Sequence, residues 1–139
     1  CDLAVASSDA KFAVSGINVG LFCSTPSVAL SRNLSRKAAF EMLVSGEFIT
    51  AEQALAKGLV NRVVDAAQLD AEVEALAASI VAKPRDSIAL GKSLFYRQLE
   101  TGIEAAYADA EKTMACNMMD ESALEGVQAF IEKRKPDWR

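Results

Sequence analysis

Residues 43–64 constrain the fold of this chain more than any other stretch: Leu-Val-Ser-Gly-Glu-Phe-Ile-Thr-Ala-Glu-Gln-Ala-Leu-Ala-Lys-Gly-Leu-Val-Asn-Arg-Val-Val. Gly46 ends one helix, because a residue without Cβ enters the left-handed region without steric cost. Thr50-Ala51-Glu52-Gln53 is a capping box: the threonine oxygen accepts from an orphan amide while Gln53 reaches back. The short helix it opens stops at Gly58, and the β-branched run that follows predicts a strand over residues 59–64. A helix stop, an extended link, a capped helix, a second stop and a strand in so short a span require a mixed α/β architecture.

Upstream, residues 1–6 read as a buried strand already under way at Cys1, which points to truncation or processing ahead of it. Phe12-Ala13-Val14 reads as a second extended piece, followed by a loop punctuated by Gly16 and Gly20. Thr25-Pro26 predicts a helix start, with the hydroxyl as N-cap and proline in the first helical position. Ser35 opens another helix, whose Ala38, Ala39, Met42 and Leu43 share a face until Gly46.

After Asp65 the pattern is almost all helical. Leu69, Val73, Leu76 and Ile80 form one amphipathic face. Pro84 interrupts it, and residues 87–99 resume through Ile88, Gly91, Leu94 and Phe95. Ile103, Tyr107, Ala110 and Met114 mark a further long helix. Ser122 with Glu125 offers a second capping box, opening a last helix that bears Leu124, Val127, Phe130 and Ile131 and ends at Pro136. The chain thus divides into a mixed part, residues 1–65, and a helical part, residues 66–139. The apolar faces of the helical part are wide for so small a unit. They bury either against another subunit or against a further part of the same protomer.

A net charge of −4 over 139 residues and a pI near 4.9 argue against a general nucleic-acid surface. No apolar run reaches the roughly 18 residues of a membrane span. The three cysteines lack C-x-x-C spacing, so neither a disulfide framework nor a metal site is expected, and a reducing intracellular compartment fits. Histidine is absent, which excludes Ser-His-Asp and Cys-His catalysis and histidine metal ligation from these residues.

Few side chains remain for chemistry. Cys23 and Ser24 are nucleophile candidates at a helix start, where the dipole favours negative charge. The other role open to Cys23 is a small buried side chain. Asp2 and Asp9 read as turn or capping residues. Lys133-Arg134-Lys135 is the one dense basic cluster. Phe130 and Lys133 fall one helical turn apart on one face, so an aromatic wall and a cation arrive together. Alternatively the cluster is a solvated helix end whose cations complement the dipole.

Three blocks, residues 12–20, 43–64 and 125–136, resemble in order and spacing the enoyl-CoA hydratase/isomerase (crotonase) family. The resemblance covers essentially the whole chain, and residues 18–26 look like one particular branch of that family. The fold it implies is α/β: the C-terminal part of a crotonase β-β-α spiral over residues 1–65, then a helical oligomerisation region over residues 66–139. It further implies acyl-CoA thioesters of fatty-acid metabolism as substrates, with coenzyme A part of the substrate and no separate cofactor. Homotrimers or dimers of trimers, in the bacterial cytoplasm or the mitochondrial matrix, follow from the same likeness.

Enoyl thioester hydration needs backbone amides around the enolate oxygen and acid/base groups to activate water and deliver a proton. The resemblance places both amides and one glutamate upstream of Cys1. It places the second glutamate after a proline in the loop following Phe12, where this sequence reads Ser15-Gly16. Gly16 transfers no proton, so no catalytic residue of that pair is retained. The resemblance also implies that Phe130 closes the acyl pocket and that Lys133 approaches the nucleotide phosphates, at a neighbouring subunit's site. Hydration, double-bond isomerisation, thioester hydrolysis and decarboxylation stay open as reactions. The alternative is a non-catalytic CoA-thioester binder or assembly module.

Overall fold

The computed structural model describes residues 1–138. Strand β1 (Val5–Ser7) pairs in parallel with β4 (Arg62–Val64), and β2 (Lys11–Phe12) pairs antiparallel with β3 (Ile49–Thr50). A 3-10 helical turn, Ser15–Val19, follows β2. Between β2 and β3 run α1 (Ser24–Asn33) and α2 (Arg36–Ser45), and α3 (Ala51–Lys57) leads into β4. The remainder is helical: a 3-10 turn at Ala66–Gln68, then α4 (Leu69–Val81), α5 (Arg85–Leu99), α6 (Ile103–Met118) and α7 (Glu121–Glu132).

The predicted punctuation around α2 and α3 is present atom by atom. Ser35 caps α2 by accepting from the Ala38 amide, and Gly46 closes it at φ 63°. Thr50 and Gln53 exchange both bonds of the capping box, Gln53 N to Thr50 Oγ1 at 3.2 Å and Thr50 N to Gln53 Oε1 at 2.9 Å. Gly58 closes α3 at φ 83°. Ala51 and Ala54 on α3 are completely buried, beside Ala39, Met42 and Leu43 of α2, in a core that also takes in Ala6, Ile49 and Val60. Alanine at these two positions lets the helix backbone lie close to its neighbours.

Several sequence expectations are corrected by hydrogen bonding. The strand expected over residues 59–64 begins only at Arg62, because the Leu59 amide is spent on the Ala54 carbonyl, 2.8 Å, closing α3. Strand β1 begins only at Val5; the extended register is set by Ala4 and Asn61, whose backbone and side chain bond reciprocally at 2.8 Å. Helix α1 starts at Ser24 with Cys23 in the cap position and no side-chain cap bond, so Thr25 is not the N-cap. Pro26 is still accommodated in the first turn, where its missing N–H has no intrahelical partner. Helix α7 starts at Glu121, one residue before Ser122, so no capping box forms there; its cap position is Asp120. It ends at Glu132 with Lys133 as its C-cap, ahead of Pro136.

The chain divides into two compact units, Cys1–Leu76 and the residues from Ala77 onward, so the division falls inside α4. In the second unit small residues are buried and large ones exposed. Ala106 is the buried residue of α6, while Ile103, Tyr107 and Met114 stand in solvent. Ala129 is the buried residue of α7, while Leu124, Val127, Phe130 and Ile131 are exposed. Among the described residues no helix is long and apolar enough to cross a membrane, and no group of three or more acidic or cysteine side chains could hold a metal ion.

Candidate functional site

Gly16 lies in the first 3-10 turn with Cys23 close over it. A Cβ built there would come within 2.6 Å of Cys23 Sγ and 2.8 Å of the Leu21 carbonyl oxygen. The Leu21 amide in turn donates to the Gly16 carbonyl at 3.0 Å, so the chain folds back onto this residue. Its φ is not positive; positive values among the glycines belong to Gly20, Gly46 and Gly58. Gly16 is therefore required by close approach rather than by an unusual backbone conformation, and no side chain fits without moving backbone. Cys23 is half-buried and packs against the hydrophobic core, which accounts for it as a small packing residue. Ser24 directs its hydroxyl to the Phe22 carbonyl, 3.3 Å away.

The turn carrying Gly16 is held from α2. Asn18 Nδ2 donates to the Gly46 carbonyl at 3.1 Å, and a Cβ on Gly46 would lie 2.6 Å from Asn18 Oδ1 and 2.7 Å from Ile17 Cγ2. Of the two carboxylates flagged in this region, Asp9 accepts from the Ser7 hydroxyl, a local turn bond.

In the second unit the three adjacent cations Lys133, Arg134 and Lys135 differ sharply. Arg134 is consumed internally: its guanidinium forks onto Glu125 at 2.6 and 2.9 Å, and its Nε meets Glu132 at 2.6 Å. Glu125, followed by Glu132, holds the Arg134 guanidinium firmly protonated, above its ordinary range. Glu132 is held below the usual carboxylate range first by the Gln128 amide, 2.5 Å away, and then by Arg134. Lys133 and Lys135 are exposed. Lys133 adopts φ 55°, ψ 36° as the residue after α7, so it leaves the helical repeat on which a shared face with Phe130 depends. Phe130, on the last turn of α7, is 85% exposed, a wall with nothing against it among the described residues.

Sequence inspection missed Glu125, reading it as a capping-box partner of Ser122. Its partners include Arg134 and the Asp137 amide, the latter 2.8 Å away. The spacing of nine from Glu125 to Arg134 matches no helical period, so only the turn at Lys133 brings the two together.

Solved structures of the crotonase fold superpose on this chain. An enoyl-CoA hydratase from Mycobacterium smegmatis does so with TM-score 0.95 and 72% identity over 99% of this chain and 54% of that one. The human enoyl-CoA hydratase domain-containing protein 3 gives TM-score 0.91 at 46% identity over 99% of this chain and 55% of that one. The mouse mitochondrial protein of the same name is 49% identical over 99% of the chain and 46% of its own length. A sequence model of the enoyl-CoA hydratase/isomerase family matches residues 1–139 throughout. The chain belongs to that family. It spans about half the length of the curated relatives it matches.

Proposed function

We propose that these residues are part of a CoA-thioester protein of fatty-acid metabolism whose reaction is not ordinary two-carboxylate hydration. The observation that carries this is the closed position of Gly16. If it corresponds to the second acid/base position of similar hydratases, a carboxylate there is not merely missing; Cys23 Sγ and the Leu21 carbonyl fill its space. Water activation would then fall to a single upstream group, which suits chemistry that shifts one proton, such as double-bond isomerisation, better than addition of water across a double bond. The oxyanion amides would likewise come from upstream of Cys1.

Within this reading Phe130 flanks the acyl chain and Lys133 meets the nucleotide phosphates, at the site of a neighbouring subunit. Support comes from the exposed ring and the exposed ammonium at the end of α7. A homotrimer or dimer of trimers would bury the large apolar residues of α6 and α7 that now face solvent. The mitochondrial relatives and the M. smegmatis protein favour the mitochondrial matrix or the bacterial cytoplasm as the compartment. No cofactor beyond the coenzyme A of the substrate is invoked.

A second reading, a thioester binder without catalysis, is favoured by the same crowding at Gly16. One assay series separates the two. The whole protein should bind CoA thioesters yet fail to hydrate crotonyl-CoA, and the 139 residues alone should show no turnover above a heat-killed control. Rapid hydration by the whole protein would overturn the proposal. Isomerisation of a 3-enoyl-CoA would select the enzyme over the binder.

A further inference from the structure

Beyond α7 the chain folds back and locks onto the helix it has just left. Arg134 forks onto both oxygens of Glu125, the Asp137 amide donates to Glu125 Oε1, and the Trp138 ring lies so close that a Cβ on Gly126 would be 3.2 Å from it. The Arg134 amide donates to the Ala129 carbonyl at 3.0 Å and the Lys133 amide to Phe130 at 3.2 Å, which tightens the turn between helix and clasp. Lys133 stands at that turn. It is the one non-glycine residue with positive φ among the described residues. An L side chain keeps that conformation only where its surroundings impose it.

The clasp also sorts charge. Glu125 and Glu132 are two carboxylates of the helix that Lys133 closes, and Arg134 pairs with both. Among the described residues the Lys133 ammonium makes no ion pair or side-chain hydrogen bond. Were Arg134 absent, those carboxylates would compete for Lys133 and repel an incoming phosphate.

We propose that the Arg134–Glu125 clasp is a positioning device: it imposes the left-handed turn at Lys133 and keeps the ammonium free for the phosphate-bearing end of a CoA thioester. This rests on the assignment of Lys133 to the nucleotide phosphates made above. Arg134 and Glu125 touch no substrate in this scheme; they act through Lys133.

The test is calorimetry of CoA binding to the whole protein at low and high salt. Glu125→Gln removes a negative charge, so a purely electrostatic effect would tighten phosphate binding. Positioning predicts the opposite sign: a loss of roughly threefold to tenfold at low salt, shrinking at high salt. Lys133→Ala should lose about as much, and Glu125→Gln combined with Lys133→Ala should be no weaker than Lys133→Ala alone, because the two act as one unit. Arg134→Lys keeps the charge but lacks the planar fork. It should show the same loss with an unchanged melting profile, which guards against a folding defect in the first variant. If Lys133→Ala weakens CoA while Glu125→Gln and Arg134→Lys bind like the parent, the clasp does not position Lys133. If Lys133→Ala itself binds like the parent, the phosphate assignment falls, and the clasp's role falls with it.

Discussion

Asn18 reaches across from the turn after β2 and donates through Nδ2 to the carbonyl of Gly46 at the end of α2, 3.1 Å away. The partners are 28 positions apart in sequence, and the bond ties the turn that carries Gly16 to the end of α2. Gly46 is confined twice over, by φ 63° and by the 2.6 Å approach its Cβ would make to Asn18 Oδ1. Gly46→Ala should therefore cost about 2–4 kcal/mol, combining left-handed strain with overpacking. Asn18→Ala should cost only about 1 kcal/mol, the value of one hydrogen bond. Urea unfolding of both variants checks the order; equal midpoints would contradict it.

Gly16→Ala tests the crowding beneath Cys23. The backbone oxygen of Leu21 cannot yield as a side chain can, so a loss of about 1–3 kcal/mol is expected, larger for Gly16→Glu. Neither substitution should confer crotonyl-CoA hydration on the whole protein. Adding Cys23→Ala should recover only the part of the loss owed to sulfur. An enzyme restored by Gly16→Glu at parental stability would show that the position tolerates a carboxylate after all.

Phe130 and Lys133 should separate by ligand. Phe130→Ala should weaken acyl-CoA more than free CoA, since only the acyl chain needs the wall. Lys133→Ala should weaken both by up to roughly tenfold at low salt, because phosphate attraction is indifferent to the acyl group. Calorimetry with a short acyl-CoA, a long one and CoA itself reads the difference. Parental affinities for all three in both variants would leave the end of α7 without a binding role.

Arg97 and Asp109 tie α5 to α6 through a fork at 2.7 and 3.1 Å. The Arg97 hydrogen bonds, followed by its charge, hold the Asp109 carboxyl below its ordinary value of 3.8, and the same bonds raise Arg97. A carboxylate lowered by folding stabilises the native state above its unfolded pKa. That contribution disappears as pH falls through the native value. The parent should thus lose melting temperature on acidification below about pH 4 more steeply than Asp109→Asn. The gap should be small, since the pair is solvent-exposed, and should narrow in concentrated salt.

Between α5 and α6 lies an apolar groove of about 440 Å³ lined by Gly91, Leu94, Phe95, Ile103 and Tyr107 among others. With the proposed trimer or hexamer, Tyr107→Asp should shift the whole protein toward monomer in light scattering. A well-folded monomer at micromolar concentration in the parent would count against assembly through these helices. It would leave another part of the same protomer to cover them.

Local devices were legible in the sequence because each depends on a few adjacent residues. The Ser35 cap, the Thr50–Gln53 box and the glycine stops at Gly46 and Gly58 all follow from short-range sterics and hydrogen bonding, and all are present. Family membership was legible for the same reason, since contiguous blocks carry it. Where a competing bond or a shifted helix end won, simple pattern failed. The Leu59 amide goes to Ala54 instead of a strand, Ser122 lies inside α7 instead of capping it, and Lys133 turns out of the helix that its spacing from Phe130 assumed. Tertiary structure alone showed that Gly16 is enclosed by Cys23 and Leu21, and that one of three adjacent cations is locked by Glu125 and Glu132 while Lys133 makes no ion pair among the described residues. Turns that fold the chain back on itself decide those matters, and no helical or strand periodicity encodes them.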